Sequence, residues 1–248
     1  MSQVKLGNKN IPFIYQGNEL LYPNPVKDGL VLWYDFKGMK NSDVTKGVAK
    51  DLSGNGNDGM LYNSAYNTVG SGYVEGLNLD GIDDFIEINQ INNKLNNLKE
   101  MTIEITLKFN ETPDFWRWLI SNNTDSAGGK GYAVAISPQS SQGLSFIMGG
   151  TVVSSGITPK EKEKYHITSQ SDSNGNMKLI INGGQKTNIN KMIKDPEASS
   201  LNFYVGKASY YPSPFLNSEI YNIRIYDRVL TEEEIQHNYN LEKERWGL

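Results

Sequence analysis

Met101-Thr102-Ile103-Glu104-Ile105-Thr106-Leu107-Lys108-Phe109 places an apolar residue at every odd position and, after Met101, a polar one at every even position. Successive side chains point to opposite faces in an extended strand, so this segment can bury one face and wet the other only as β-structure. The same alternation recurs along the chain. Leu30, Leu32, Tyr34 and Phe36 are expected to share a face, as are Ile86 and Ile88, Tyr132, Val134 and Ile136, and Leu144, Phe146 and Met148. So are Leu179 and Ile181, Leu201, Phe203 and Val205, and Tyr221, Ile223 and Ile225. Turn chemistry separates these runs: Ser53-Gly54-Asn55-Gly56, Asp80-Gly81, Gly128-Gly129, Ser173-Asn174-Gly175 and Asn182-Gly183-Gly184. Many short strands punctuated in this way predict an all-β sandwich or barrel.

The rest of the chain agrees. Its 248 residues, 38% hydrophobic and 21% charged, supply one sizeable core. A net charge of -4 gives no general attraction to nucleic acid or to an anionic membrane. The absence of cysteine excludes a disulfide frame, a Cys-ligated zinc and a thiol nucleophile. No apolar run approaches a membrane span. Met1-Ser2-Gln3-Val4-Lys5 has no apolar signal core, so no signal peptide is read and synthesis in a cytoplasm is expected. Thr231-Glu232-Glu233-Glu234 reads as a capping box that starts a terminal helix, with Ile235, Tyr239 and Glu242 following.

Residues 1–25 read as a separate arm. Val4-Lys5-Leu6-Gly7-Asn8 and Ile14-Tyr15-Gln16-Gly17-Asn18 are two apolar–Gly–Asn units of one small hairpin. Tyr22-Pro23-Asn24-Pro25 then makes an extended linker. Such an arm docks on its own domain or on a partner, and its removal is expected to leave the sandwich melting almost unchanged.

Four further stretches carry a family resemblance. They are Gly29–Phe36, Asp51–Gly59, Leu79–Ile86, and Tyr165-His166-Ile167-Thr168 leading to Lys178–Gly183. The end is the most distinctive, from Val205-Gly206 to Ile220–Ile235. In this order and spacing, over about residues 26–240, the chain resembles the laminin-G-like domains of the concanavalin A-like lectin/glucanase superfamily found in bacterial and phage proteins. Asn217 departs from it, standing where the family usually has Gly. The resemblance implies a two-sheet antiparallel jelly-roll sandwich over 26–248, with the C-terminal helix and a short N-terminal hairpin arm. The arm is similar to the Gly-Asn repeats that open tail proteins of phages of Gram-positive bacteria. That likeness implies a virion protein of the tail, baseplate or a fibre, held to other virion proteins by the arm and able to form a homo-oligomer. No nucleic-acid or membrane partner is expected.

The chemistry is expected to be binding, not turnover. Hydrolases of this fold carry a Glu-x-Asp-x-x-Glu type motif, which does not occur here. Glu87 and Glu104 alternate with apolar residues and are expected on a solvated sheet surface, as is His166. Trp116 and Trp118 share a strand face on which a cell-wall polysaccharide could stack, and Tyr210, Tyr211 and Phe215 add an aromatic loop. Core packing is the competing role for the tryptophans. The resemblance also implies a structural calcium, for which Asp35, Asp51, Asp80, Asp83 and Asp227, with Asp84, are the oxygen donors; turn and cap roles are the alternative. Two other readings stand beside glycan binding: a purely structural decoration module, and a glycan-active enzyme or an inactive relative of one.

Overall fold

The computed structural model describes the chain apart from residues 1–4, 7, 8, 12, 17, 18, 89–99, 125–128, 139–141, 190–194, 196 and 211. In chain order the strands are β1 (Lys5–Leu6), β2 (Lys9–Asn10), β3 (Ile14–Gln16), β4 (Glu19–Tyr22), β5 (Leu30–Asp35), β6 (Val48–Ala49) and β7 (Gly59–Tyr62). Next come β8 (Gly72–Tyr73), β9 (Leu77–Asp80), β10 (Phe85–Ile88), β11 (Met101–Phe109), β12 (Arg117–Ser121), β13 (Tyr132–Ile136) and β14 (Leu144–Met148). Then follow β15 (Thr151–Ser154), β16 (Lys164–Ser171), β17 (Met177–Ile181), β18 (Gln185–Ile189), β19 (Phe203–Val205), β20 (Asn217–Tyr226) and helix α1 (Glu232–Trp246).

Two antiparallel sheets make the sandwich. One, the open sheet, runs β15-β14-β13-β12-β19-β10-β7-β6. The other, the covered sheet, runs β18-β17-β16-β11-β20-β9-β8, with β5 also paired to β20. β20 lies along β11, and its other edge is divided between β9 and β5. The core between the sheets takes the odd residues of β11, Ile103, Ile105 and Leu107, with Ile86, Val134, Phe146, Val205 and Ile223 among their neighbours. Each such side chain contributes about 1.5–3 kcal/mol on burial, which is what fixes the register.

Two register shifts along β20 depart from simple alternation. Thr106 faces Asn222 but Leu107 faces Ile220, so Tyr221 is the extra residue of a bulge. Ile220 therefore enters the core with Ile223 and Ile225, and Tyr221 turns outward to stack on Trp246 at 4.5 Å. A second shift sets Leu32 opposite Ile225 and Leu30 opposite Tyr226. Leu30 thus packs outside the core beside Ile235 and Leu230, not on the face of Leu32.

The helix forms where the capping box places it. Thr231 Oγ1 accepts from Glu234 N–H at 3.2 Å, and Glu234 Oε2 accepts from Thr231 N–H at 2.9 Å. Gly247, at φ 70°, closes the other end in the left-handed conformation that glycine tolerates. The helix lies on the outer face of the covered sheet, and among its buried residues Asn238, Glu242 and Arg245 are polar.

The leading segment holds two antiparallel ribbons, β1–β2 and β3–β4, not one hairpin. It docks on its own domain. The rings of Phe13 and Tyr22 lie 6.0 Å and 5.9 Å from the Arg245 guanidinium, and the His237 ring meets the Asn24 carbonyl at 2.8 Å. Removing it would uncover part of α1, and the melting of a chain lacking residues 1–25 measures how much these contacts add to the sandwich. Among the described residues no helix is long and apolar enough to cross a membrane.

Candidate functional site

The two outer faces of the sandwich differ in kind. Under α1, Glu104 and Thr106 of β11 and their cross-strand neighbours are polar, yet sealed from water. Thr106 lies between His166 and Asn222, and Glu104 between Thr168 and Arg224. Glu104 and His166 are both 0% exposed, which corrects the expectation of a solvated surface. The physical reason is the helix, whose own polar side chains complete the layer. Arg224 Nε donates to Glu104 at 2.9 Å and Nη1 to Glu242 at 2.8 Å. Arg245 pairs with Asp35 through both terminal nitrogens and lies 3.4 Å from Glu242. Asn238 Nδ2 donates to Glu104 at 2.9 Å, and the Trp246 indole N–H to Glu242 at 2.8 Å. His166 Nδ1 lies 2.8 Å from Thr106 Oγ1, and its Nε2 3.6 Å from Glu104. Burial alone would push the Glu104 carboxyl up, but Arg224 and then His166 hold it below its ordinary value. No glycan reaches this cluster.

The outer face of the open sheet is aromatic and accessible. Tyr62 on β7 and Phe85 on β10 stack with centroids 4.9 Å apart and planes 7° apart. Tyr204 on β19 meets Phe85 edge-on at 6.0 Å, and Phe215 tilts against it at 6.1 Å. Tyr62 is 39% exposed. Glu87, one turn of the pleat along β10, is half-buried and accepts from Asn202 Nδ2 at 2.8 Å and from the Tyr204 hydroxyl at 3.3 Å. Its charge, and its role as a hydrogen-bond acceptor, push the Tyr62 hydroxyl pKa up. Glu87 is therefore not a lone solvated acid but the polar edge of a ring platform. Tyr62, Phe85 and Tyr204 were not singled out from sequence. Their signal was present: each adjoins a core residue (Leu61, Ile86, and Phe203 with Val205), so these strands are apolar on both faces.

A second aromatic group lies across the same sheet. Trp116 and Trp118 stack at 6.0 Å, and Tyr210 meets Trp118 edge-on at 5.7 Å. These rings pack with Ala133, Ala135, Ile147 and Ala208, a satellite cluster outside the main core. Trp118 is only 2% exposed, so its face is not available to a sugar, and Trp116 is half-buried. The structure thus brings Trp116, Trp118 and Tyr210 together and places Phe215 with Phe85. Tyr211 lies outside the described residues.

The expected calcium donors separate. Asp35 is taken by Arg245. Asp51 organises the turn after β6, accepting from the backbone N–H groups of Trp33, Ser53 and Asn57 at 2.9–3.0 Å. Asp227 lies against Gly29, whose carbonyl accepts from its N–H at 2.9 Å. Only Asp80 and Asp83 remain together, joined by Asp84, with one carboxylate oxygen from each lying within 4.8 Å of the others. Asp84 is fully buried and its Oδ1 has no hydrogen-bond partner among the described residues. Burial, with Asp80 and Asp83 nearby, pushes its carboxyl pKa up. A buried carboxylate crowded by two others is what a bound cation relieves. These three residues fit calcium, which would draw its remaining oxygens from loop carbonyls and water.

The model of a family described as the concanavalin A-like lectin/glucanases superfamily, Laminin_G_3, matches residues 80–236. No curated protein sequence matches the chain. Among solved structures, Trypanosoma rangeli sialidase in complex with sialic acid superposes with a TM-score of 0.61 at 15% identity. That match covers 87% of this chain and 33% of the sialidase. The botulinum neurotoxin serotype D binding domain superposes with a TM-score of 0.63 at 17% identity, over 87% of this chain and 52% of that one. The chain therefore spans about a third to a half of these structures, and at such identities the likeness establishes the fold alone.

Proposed function

The chain belongs to the concanavalin A-like lectin/glucanases superfamily, and from that premise we propose that it is a non-enzymatic glycan-binding module whose site is the aromatic face of the open sheet. The observation that carries this reading is the Tyr62–Phe85 stack, flanked by Tyr204 and Phe215 and bordered by Glu87 and Asn202. Sugar rings present C–H faces that lie on aromatic rings and hydroxyls that bond to a carboxylate and an amide. A platform with one polar edge supplies both. Glycosidic hydrolysis needs two carboxylates across the scissile bond, and Glu87 enters this site in a binding role. The finer assignment, to a bacteriophage tail, baseplate or fibre that contacts the host cell wall, rests on the Gly-Asn units of the arm. Many copies on one particle would make weak single sites effective.

Titration of the protein with cell-wall polysaccharides, read by calorimetry, tests the proposal. Tyr62→Ala is expected to weaken binding about tenfold, the upper end for loss of one aromatic contact. Unchanged binding in both Tyr62→Ala and Phe85→Ala would move the site elsewhere. Retention of no glycan at all would favour the structural decoration role, with this face packed against another protein.

A further inference from the structure

Lys207 occupies an unusual position beside the platform. Its ammonium lies 4.3 Å from the centroid of the Phe85 ring and 4.3 Å from that of Tyr204. The Lys207 carbonyl accepts from Ser121 Oγ at 3.0 Å, whereas its ammonium has no hydrogen bond or ion pair among the described residues, so its three donors are unspent there. The Glu87 carboxylate on this face is already engaged by Asn202 and Tyr204, and it also faces Tyr62. The rings thus hold a cation in place through their negative faces without neutralising it. A cation–π contact at a half-exposed site is weak, and an oxyanion offers a stronger, charge-assisted partner.

We infer that Lys207 makes this site selective for glycans that carry an oxyanion, a carboxylate or a phosphodiester, on or next to the sugar that packs on the exposed ring of Tyr62. The inference rests on the glycan-binding reading of the same face and names its ligand class. The geometry supplies the division of labour. Tyr62, exposed on the side away from Phe85, takes the C–H face of the sugar, Glu87 and Asn202 take hydroxyls, and the ammonium, compact and strongly hydrated, takes the anion as a point charge. The chain carries a net charge of -4, so long-range attraction does not drive an anion to it. The preference is local, and ionic strength weakens it.

The test uses the full chain with three polymers of matched length: polygalacturonate, uncharged galactan, and a glucosylated poly(glycerol phosphate). At low salt the two anionic polymers, or one of them, are expected to bind about tenfold more tightly than galactan, the scale of one charge-assisted contact. Which of the two binds identifies the carboxylate or the phosphodiester as the source. Lys207→Met keeps the stem over the rings and should abolish the preference while leaving galactan binding unchanged; Lys207→Arg should restore most of it. Equal affinity for charged and uncharged polymers, or an unaltered preference in Lys207→Met, overturns the selectivity and leaves the glycan-binding face standing. Failure of all three polymers to bind overturns both.

Discussion

The two outer faces of the sandwich invert the usual relation between polarity and exposure. On the covered sheet the outward residues of β11, β16 and β20 are charged or polar and lie beneath α1. On the open sheet β7, β10 and β19 turn Tyr62, Phe85 and Tyr204 outward beside Met60 and Glu87, and this face reaches solvent, Tyr62 by 39% of its surface. Alternation along a strand says which residues point away from the central core. It does not say what lies beyond them. A second layer can be polar if its groups pair internally, and an outer face can remain apolar if something other than water is meant to lie on it.

The contrast predicts unequal responses to substitution. The largest is on the covered face: Arg224→Met should cost about 3–5 kcal/mol in urea unfolding, because Glu104 and Glu242 are then buried without their shared cation. A loss below about 1 kcal/mol would mean that the layer admits water and is not a sealed network. Acid should attack the same face next. The Glu104 carboxyl is held below its ordinary value in the fold. The stability it adds is therefore present above the unfolded carboxyl pKa of about 4.3 and is lost as pH falls below that through the folded value. Hydrogen exchange should show α1 amides opening at low pH before those of β13 and β14. Simultaneous opening would break the distinction between the faces. Thr231→Ala should cost about 1 kcal/mol, the usual worth of an N-cap, read as a lower thermal midpoint. The smallest effect belongs to the open face. Tyr62→Ala should cost the fold only about 0.5 kcal/mol, the low end for an aromatic pair, despite its effect on glycan binding.

Much of this architecture was legible in sequence. The odd residues of Met101–Phe109 enter the core as alternation requires, and Thr231 and Glu234 cap each other as their spacing requires. What alternation could not convey was local or remote. Tyr221 changes face because a single bulge inserts one residue opposite Thr106 and Leu107, and no composition rule marks that insertion. Glu104 is buried by Arg224, Asn238 and Glu242, which lie 120–138 residues later, and a period-2 pattern holds no information at that range. The site was half legible. Phe215 belongs to the platform, whereas the Trp116–Trp118 pair, the more conspicuous aromatic signal, became a buried satellite because Ala133, Ala135 and Ile147 offer it a flat apolar bed.

The docking of the arm on α1 also sets a direction. Phe13, Tyr22 and Asn24 from one end of the chain and His237 and Arg245 from the other meet on the covered side. A tether attached through either end pulls from that side. Were the protein held by such a tether, the ring platform would point away from its carrier, as the working surface of a tile points away from its mortar. Arg245, which pairs with Asp35 of β5 and lies beside the rings of Phe13 and Tyr22, ties both ends of the chain to the sheet opposite the aromatic face.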